Sequence, residues 1–183
     1  MKTLEKKRNK REGLYDPRNE HDSCGLGFIA NIKGRKSHEI IKKGIFILEN
    51  LEHRGATGAD PLVGDGAGML TQIPHEMYRE EMEKLNISLP DPGNYGVGMF
   101  FFPRERKYHE LIKNSIVTLS EKQQIKFLGW RNIPVNNDCL SKDKEIRDSE
   151  PFHMQGFFKK PQEMDEDDFE RSLYILRKKT TNV

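Results

Sequence analysis

The sequence is poor in cysteine, has no long apolar run and carries little net charge. Its two cysteines, Cys24 and Cys139, are too few for a disulfide framework and lack the paired spacing of a zinc site. No stretch approaches the roughly 18 consecutive apolar residues that a membrane helix requires, and the polar start is unlike a secretory signal. The formal net charge of +2 provides no strong field for a nucleic acid. We therefore expect a soluble, cytoplasmic protein without a nucleic-acid or membrane partner.

The sequence also lacks the motifs of a histidine metal site and of a phosphate-binding loop. The six histidines include no H-x-x-x-H or H-E-x-x-H pair, so the sequence predicts no metal site. The glycine-rich run at 64–68 lacks the Lys-Ser/Thr ending that a phosphate-binding loop requires. Nucleotide binding is therefore not expected.

The first 23 residues differ in composition from the rest of the chain. They hold seven basic and five acidic residues and few large apolar side chains, so they can contribute little to a core. A transit peptide is a competing interpretation, but such peptides are poor in acidic residues. We predict that residues 1–23 form a leader and that residues 24–183 form the folded domain.

Hydrophobic periodicity predicts a mixture of strands and helices after the leader. A loop over 53–68 follows from its five glycines and Pro61, and Pro90 to Asn94 favour a turn. The predicted strands cover 24–31, 67–73, 95–102, 125–130 and 152–158. The predicted helices begin near Ser37, Pro74, Arg104 and Asp165. A helix follows most strands, so we expect a layered α+β or α/β domain of one core.

The two cysteines differ in their sequence surroundings. Cys24 stands beside Gly25 at the start of a predicted strand, and a lone cytosolic cysteine is either a small buried hydrophobe or a nucleophile. Cys139 follows Asn136, Asn137 and Asp138, without a basic neighbour that would lower its thiol pKa. The residues alone leave both interpretations of Cys24 open and predict an inert Cys139.

The loop over 53–68 is the other candidate for chemistry. Arg54 offers a fork of donors suited to a carboxylate, and the glycines at 55, 64, 66 and 68 allow the backbone to approach a ligand. A tight turn held by an Arg–Asp pair explains the same residues equally well. Substrate binding and a structural turn therefore both remain open at this point.

Four segments together resemble the beginning of glutamate synthase large subunits. Residues 20–28 are EHDSCGLGF, residues 48–56 are LENLEHRGA, and residues 64–68 are GDGAG. The final helix contributes FERSLY at 169–174. Order and spacing both fit, and the likeness extends from about Gly13 to the last helix.

The resemblance implies a class II glutamine amidotransferase domain, an N-terminal nucleophile hydrolase of four αββα layers. It implies cleavage between Ser23 and Cys24, which makes Cys24 the catalytic nucleophile with its own terminal amine as base. The thiolate would hydrolyse glutamine to glutamate and ammonia, and the ammonia would be transferred to 2-oxoglutarate in glutamate biosynthesis. The implied substrate-binding residues are Arg54, Gly55, Asp65 and Gly66.

The resemblance also implies components outside these 183 residues. The family's Asn-Gly oxyanion pair and the acidic residue that holds the substrate amino group would lie beyond Val183, so the domain is expected to be incomplete at its C-terminus. No cofactor is expected on this chain, whereas FMN and an iron–sulfur cluster are expected on the synthase part. The partners are glutamine and the remainder of the large subunit, encoded as a separate chain.

Two other interpretations compete with an active amidotransferase segment. A non-catalytic fragment or interaction module of the same family would never expose the amine of Cys24. An unrelated small binding protein would require the long motif match to be accidental.

Overall fold

The structure is a computed structural model that describes residues 25–55, 60, 62–64 and 66–181. Contacts divide the chain into two compact units, Met1–Leu70 and Thr71–Val183. Among the described residues, the first unit carries one long helix, and the second carries the β-sheet and the other α-helices. Within the described ranges, no helix is both long and apolar enough to cross a membrane.

The first unit is organised around helix α1, His38–Asn50. Its start confirms the prediction, since Ser37 is the N-cap residue with extended backbone, although its side chain makes no capping hydrogen bond. A short 3₁₀ helix, Glu52–Arg54, follows α1 almost directly. The predicted loop begins after this turn, because the described residues beyond it as far as Gly68 form neither a helix nor an extended strand.

Two predicted strands in this region are wrong as far as the structure describes them. Residues 25–31 and 67–73 belong to no strand, and Leu26, Phe28 and Leu70 are almost fully exposed. A strand requires a ladder of hydrogen bonds to a neighbour, which apolar composition alone does not supply. Cys24, the first residue of the first predicted strand, lies outside the described residues.

The second unit contains a three-stranded antiparallel sheet in the order β1-β3-β2. The strands are β1 (Tyr95–Phe102), β2 (Lys126–Asn132) and β3 (Phe152–Lys159). The central strand pairs with β1 over its whole length, from Tyr95 opposite Lys159 to Phe102 opposite Phe152. Its pairing with β2 shifts register between Phe127 and Gly129. All three predicted strands of this unit are confirmed, and the turn before β1 is closed by a hydrogen bond from the Asn94 amide to the Asp91 carbonyl.

Four helices accompany the sheet: α2 (His75–Glu83), α3 (His109–Lys122), α4 (Lys144–Ser149) and α5 (Glu166–Thr180). The three longer ones were predicted. Asp165 is the N-cap residue of α5, and its carboxylate accepts a hydrogen bond from the Asp168 amide. The last turn of α5 carries basic residues, as the helix dipole favours. The prediction missed α4, whose six residues are too few for a periodic pattern and which Asp143 caps.

Successive residues of the central strand serve two separate cores, because side chains alternate across a strand. Phe158 packs with residues of α3 and α5 in a cluster of Phe102, Ile116, Ile125, Met154, Phe169 and Leu176. Phe157 lies on the opposite face with Tyr78 and Met82 of α2 and with Tyr95 of β1. The described part of the chain is thus an α+β fold with helices on both faces of a small sheet.

A polar network lies beside the Phe157 core and connects α2 to the sheet. The Arg131 guanidinium donates to the Glu81 carboxylate at 2.9 Å and to Gln155 Oε1 at 2.9 Å. The Gln155 amide donates in turn to the Tyr78 hydroxyl at 2.7 Å. Because Arg131 is nearly buried, these bonds satisfy donors that would otherwise be desolvated without a partner.

Glu81 should make the stability of this unit depend on pH. The hydrogen bond from Lys84, and then that from Arg131, lowers the pKa of Glu81 from its ordinary value. An acid with a depressed folded-state pKa stabilises the fold above its unfolded pKa, near 4.3, and loses that effect as pH falls through the folded value. We expect Glu81→Gln to lower the unfolding temperature at pH 6 to 8, with the difference from the parent shrinking below about pH 4.

The control for this titration is Glu83→Gln on the same helix. Glu83 is exposed, and it accepts no side-chain hydrogen bond from the described residues. Its variant should unfold at the parent temperature across the whole range. Equal pH profiles for the parent and Glu81→Gln would show that the network does not stabilise the unit.

Candidate functional site

The structure describes three of the five residues that the sequence assigned to a site. Arg54, Gly55 and Gly66 are described, whereas Cys24 and Asp65 lie outside the described residues. All five belong to the first unit of the chain. The described part of the segment that follows Cys24 begins at Gly25.

Arg54 is held at the end of the 3₁₀ turn that follows α1. Its amide donates to the Leu51 carbonyl at 2.8 Å, and the Gly55 amide donates to the Glu52 carbonyl at 3.0 Å. The side chain is exposed and has no hydrogen-bond or ion-pair partner among the described residues. An exposed guanidinium on such a fixed backbone can bind a carboxylate through two parallel hydrogen bonds.

The glycine-rich loop has a defined shape where the structure describes it. Asp60 Oδ1 accepts from the Leu62 amide at 2.9 Å, and the Asp60 carbonyl accepts from the Val63 amide at 3.0 Å. Gly66 has φ of +84°, in the left-handed region that side chains disfavour. A glycine is thus required at 66 by the backbone, whereas Gly55 is extended and needs glycine for no such reason.

The segment after Cys24 lies against α1 through its glycines. A Cβ atom built on Gly25 would be 2.8 Å from Leu51 Cδ2, and one built on Gly27 would be 2.3 Å from Ile47 Cγ2. The intervening Leu26 and the following Phe28 are exposed, and Ile29 is partly buried. Gly25 and Gly27 therefore face the helix, whereas Leu26 and Phe28 are exposed.

The segment after the glycine loop contacts the same helix. A Cβ atom on Gly44 would lie 2.6 Å from the Met69 sulfur, so Met69 rests on the helix backbone at that position. Gly44, Ile47 and the C-cap residue Leu51 are spaced three and four residues apart and lie on one face of α1 and its C-terminal end. One helix face thus contacts both segments that carry candidate site residues, and Arg54 follows the end of the same helix.

This role of α1 was not foreseen from the sequence. The sequence predicted a helix that begins near Ser37, but it did not predict that this helix contacts the two segments. The available signal was the alternation of Gly25 and Gly27 together with a glycine inside a helix. Both features are typical of close approach between two segments of backbone.

The other candidate groups that the structure describes have structural partners. His109 Nε2 lies 2.6 Å from the Pro103 carbonyl oxygen, and His75 Nδ1 lies 3.1 Å from the Tyr95 hydroxyl. Burial raises the pKa of Tyr95. The exposed Cys139 thiol donates to the Asn136 carbonyl at 3.3 Å. Across residues 25–55, 60, 62–64 and 66–181, no three histidine, cysteine or acidic side chains are grouped to hold a metal ion.

The second unit has an open groove whose lining is mainly apolar. It runs beside β1 and is lined mainly by apolar side chains, among them Met99, Phe101, Leu173 and Tyr174. None of the predicted site residues lines it. The groove offers apolar surface without a convergent set of titratable groups, so it is not a second catalytic candidate.

Comparisons with known proteins identify the family of this chain. Residues 24–183 match the family model described as glutamine amidotransferases class-II. The chain is 41% identical over 174 residues to a glutamate synthase [NADPH] large chain of Bacillus subtilis, a match covering 94% of this chain and 11% of the relative. It is 37% identical over 180 residues to a glutamate synthase [NADH] of Schizosaccharomyces pombe, covering 95% and 8% respectively.

A ferredoxin-dependent glutamate synthase 2 of a Synechocystis strain is 35% identical over 158 residues, covering 86% of this chain and 10% of the relative. The chain spans about a tenth of the length of these curated relatives. An accidental motif match in an unrelated binding protein is incompatible with these similarities. The chain belongs to the class-II glutamine amidotransferases, an enzyme family.

Proposed function

We propose that this chain is the glutamine-hydrolysing part of a glutamate synthase. The observation that carries the proposal is the family match over 24–183, which begins at the proposed nucleophile. Similarity to three proteins named glutamate synthase supports the choice within the family. The ammonia released from glutamine would be transferred to 2-oxoglutarate on a synthase part, in the cytoplasm.

In the proposed reaction, Cys24 acts as both nucleophile and base. A free α-amino group titrates near 7.7–8.0, so at neutral pH a useful fraction is unprotonated and can accept the thiol proton. The thiolate attacks the side-chain amide carbon of glutamine, and the C–N bond breaks as the amine returns a proton to the leaving ammonia. Water then cleaves the glutamyl thioester, giving glutamate and restoring the thiol.

This mechanism requires removal of residues 1–23. While Ser23 is attached, the nitrogen of Cys24 belongs to an amide and cannot accept a proton. The uncut chain is therefore an inactive precursor, and residues 24–183 contain the working amidotransferase segment. The acidic and basic composition of the leader, which can contribute little to a core, supports its removal.

We assign substrate binding to Arg54, Gly55, Asp65 and Gly66. The Arg54 guanidinium is exposed and has no partner among the described residues, which supports a role in binding the α-carboxylate of glutamine. The left-handed backbone of Gly66 supports a loop that can approach the substrate closely. Gly55 and Asp65 adjoin these two residues in the sequence and complete the proposed pocket.

The four-layer arrangement of an N-terminal nucleophile hydrolase belongs to the same proposal. Met99 and Phe101 of β1 are 53% and 65% exposed, on the sheet face that α2 only partly covers. Exposed apolar area of this kind supports a further layer packing there. We place FMN, the iron–sulfur cluster and the oxyanion donors outside the described residues, with the remainder of the large subunit as partner.

Replacing Arg54 tests the substrate-binding assignment. We expect Arg54→Ala to raise the KM for glutamine about 10- to 100-fold with a smaller change in kcat, because it removes charge-assisted hydrogen bonds made in both ground and transition states. Arg54→Lys should recover only part of the loss, since lysine keeps the charge but lacks the planar fork. Steady-state release of glutamate from glutamine measures both constants.

The control is Arg35→Ala, which removes an exposed arginine from the same unit. It should leave both kinetic constants at parent values. An Arg54→Ala variant with an unchanged KM would exclude Arg54 from the glutamine pocket. Failure of the parent itself to release glutamate and ammonia in equal amounts would contradict the proposed function.

A further inference from the structure

Strand β1 is an unprotected edge of the three-stranded sheet. Among the described residues, none bonds through its backbone to the outer side of β1. Charged side chains, proline or a bulge commonly protect such an edge from pairing with another strand. Strand β2, at the other edge, carries Lys126 and Arg131 and has an irregular register. Strand β1, with the sequence YGVGMFFF, has no charge, no proline and an unbroken register, so it can accept a further strand.

Helix α5 lies beside this edge and presents one charge of each sign along it. Leu173 holds the helix over the strand, since a Cβ atom built on Gly96 would lie 2.6 Å from Leu173 Cδ1. Glu170 and Arg177 both line the groove beside β1. They are seven residues apart, so they lie on one side of the helix about 10 Å apart along its axis. Neither forms an ion pair with a described residue, and the Arg177 guanidinium rests on the Tyr174 ring, 5.4 Å from its centre.

We propose that β1 and α5 form the interface of a symmetric dimer between two copies of this chain. A two-fold axis perpendicular to the sheet, at its β1 edge, places the two β1 strands side by side and antiparallel. The two three-stranded sheets then form one continuous sheet. The same axis sets the two α5 helices antiparallel on one face of it. The proposal is independent of glutamine hydrolysis, because the predicted site residues belong to the other unit.

Charge complementarity identifies a second copy as the partner. In a two-fold interface, a residue that contacts a second residue of the other copy is matched by the reciprocal contact. Antiparallel α5 helices bring Glu170 of each copy to Arg177 of the other, so two opposite-charge pairs form. Leu173 and Tyr174 lie midway between these charges and meet at the axis, where Tyr174 contributes an exposed ring. The surface of α5 along the groove is therefore complementary to itself.

Pairing at the edge also satisfies the backbone of β1. Its outer amide and carbonyl groups exchange water for hydrogen bonds to the second strand, and the apolar side chains along the groove lose exposure to solvent. The sheet face that carries Met99 and Phe101 is not covered, because strands added at an edge extend a sheet without burying its faces. That face stays available to the further layer proposed above.

The test reverses the two charges one at a time. Glu170→Lys alone and Arg177→Glu alone each bring like charges together twice in the dimer. Each should raise the dimer dissociation constant about tenfold or more, as measured by sedimentation equilibrium of the purified chain. An equimolar mixture of the two variants should dimerise as tightly as the parent, because every opposite-charge pair is restored between unlike chains. The double variant should also dimerise as the parent does.

Lys179→Glu is the matched control, since it makes the same change of charge near the same end of α5. Lys179 is exposed and does not line the groove, so its variant should keep the parent dissociation constant. Far-UV circular dichroism equal to that of the parent shows that each variant is folded. The proposal is overturned by a parent chain that sediments as a monomer at all concentrations, which would leave the edge to a different partner. It is also overturned if mixing the two folded variants restores no dimer.

Discussion

Replacing Cys24 with alanine is expected to reduce glutamine hydrolysis by about a thousandfold or more, to the background rate. Alanine has no nucleophile, so no thioester can form. Cys24→Ser should also lose most of the activity, because a hydroxyl is a much weaker nucleophile than a thiolate at neutral pH. Ammonia release from glutamine by the processed chain measures both losses.

Cys139→Ala is the matched control for the loss of a thiol. Cys139 is exposed in the second unit, and its thiol donates to a backbone carbonyl rather than to a titratable group. Its variant should hydrolyse glutamine at the parent rate. A Cys24→Ala chain that retains activity, or a Cys139→Ala chain that loses it, would place the nucleophile elsewhere.

The largest effect on folding is expected from Phe157→Ala in the central strand. Phe157 is fully buried, and its ring meets Tyr78 edge-on with centroids 5.2 Å apart and lies 6.4 Å from Tyr95. Truncation leaves a cavity between α2 and the sheet and should cost about 3–5 kcal/mol. Since small domains have about 5–15 kcal/mol in total, the second unit should be close to unfolding.

Chemical denaturation of the parent and the variant measures this difference in the free energy of unfolding. Phe101→Ala is the control. Phe101 lies on the same sheet face but is 65% exposed, and its ring makes an edge-on contact with the ring of His153. It should cost less than about 1 kcal/mol. Equal losses for the two variants would mean that Phe157 is not at the centre of a core.

Much of the second unit could be predicted because local signals there agree with tertiary packing. The strand at 95–102 was predicted with the bounds that the structure gives, since Asp91 and Gly93 form a turn before it and Pro103 follows it. Helix α5 was predicted from its charge order, with acidic residues at its start and basic residues at its end.

In the first unit, local sequence signals did not predict the strands correctly. Residues 25–31 and 67–73 have the apolar composition of strands, yet the structure pairs them with no neighbour. Strand formation depends on a partner that composition does not specify, and here the segments pack on a helix instead.

The candidate site could be predicted only in part for a related reason. Cys24 and Arg54 were proposed because their neighbours form motifs, and their roles stay predictions. Ile47 belongs to no motif, and its close contact with Gly27 is seen only in the tertiary structure. Contacts between segments twenty residues apart depend on tertiary structure and leave little trace in periodicity.

The measurement that tests the central claim most directly is the intact mass of the purified chain, before and after exposure to an electrophilic glutamine analogue. The account predicts a chain that begins at Cys24 and gains the mass of one analogue, with Cys24→Ala gaining none. A full-length chain that remains unlabelled would contradict it and would favour a non-catalytic member of the family.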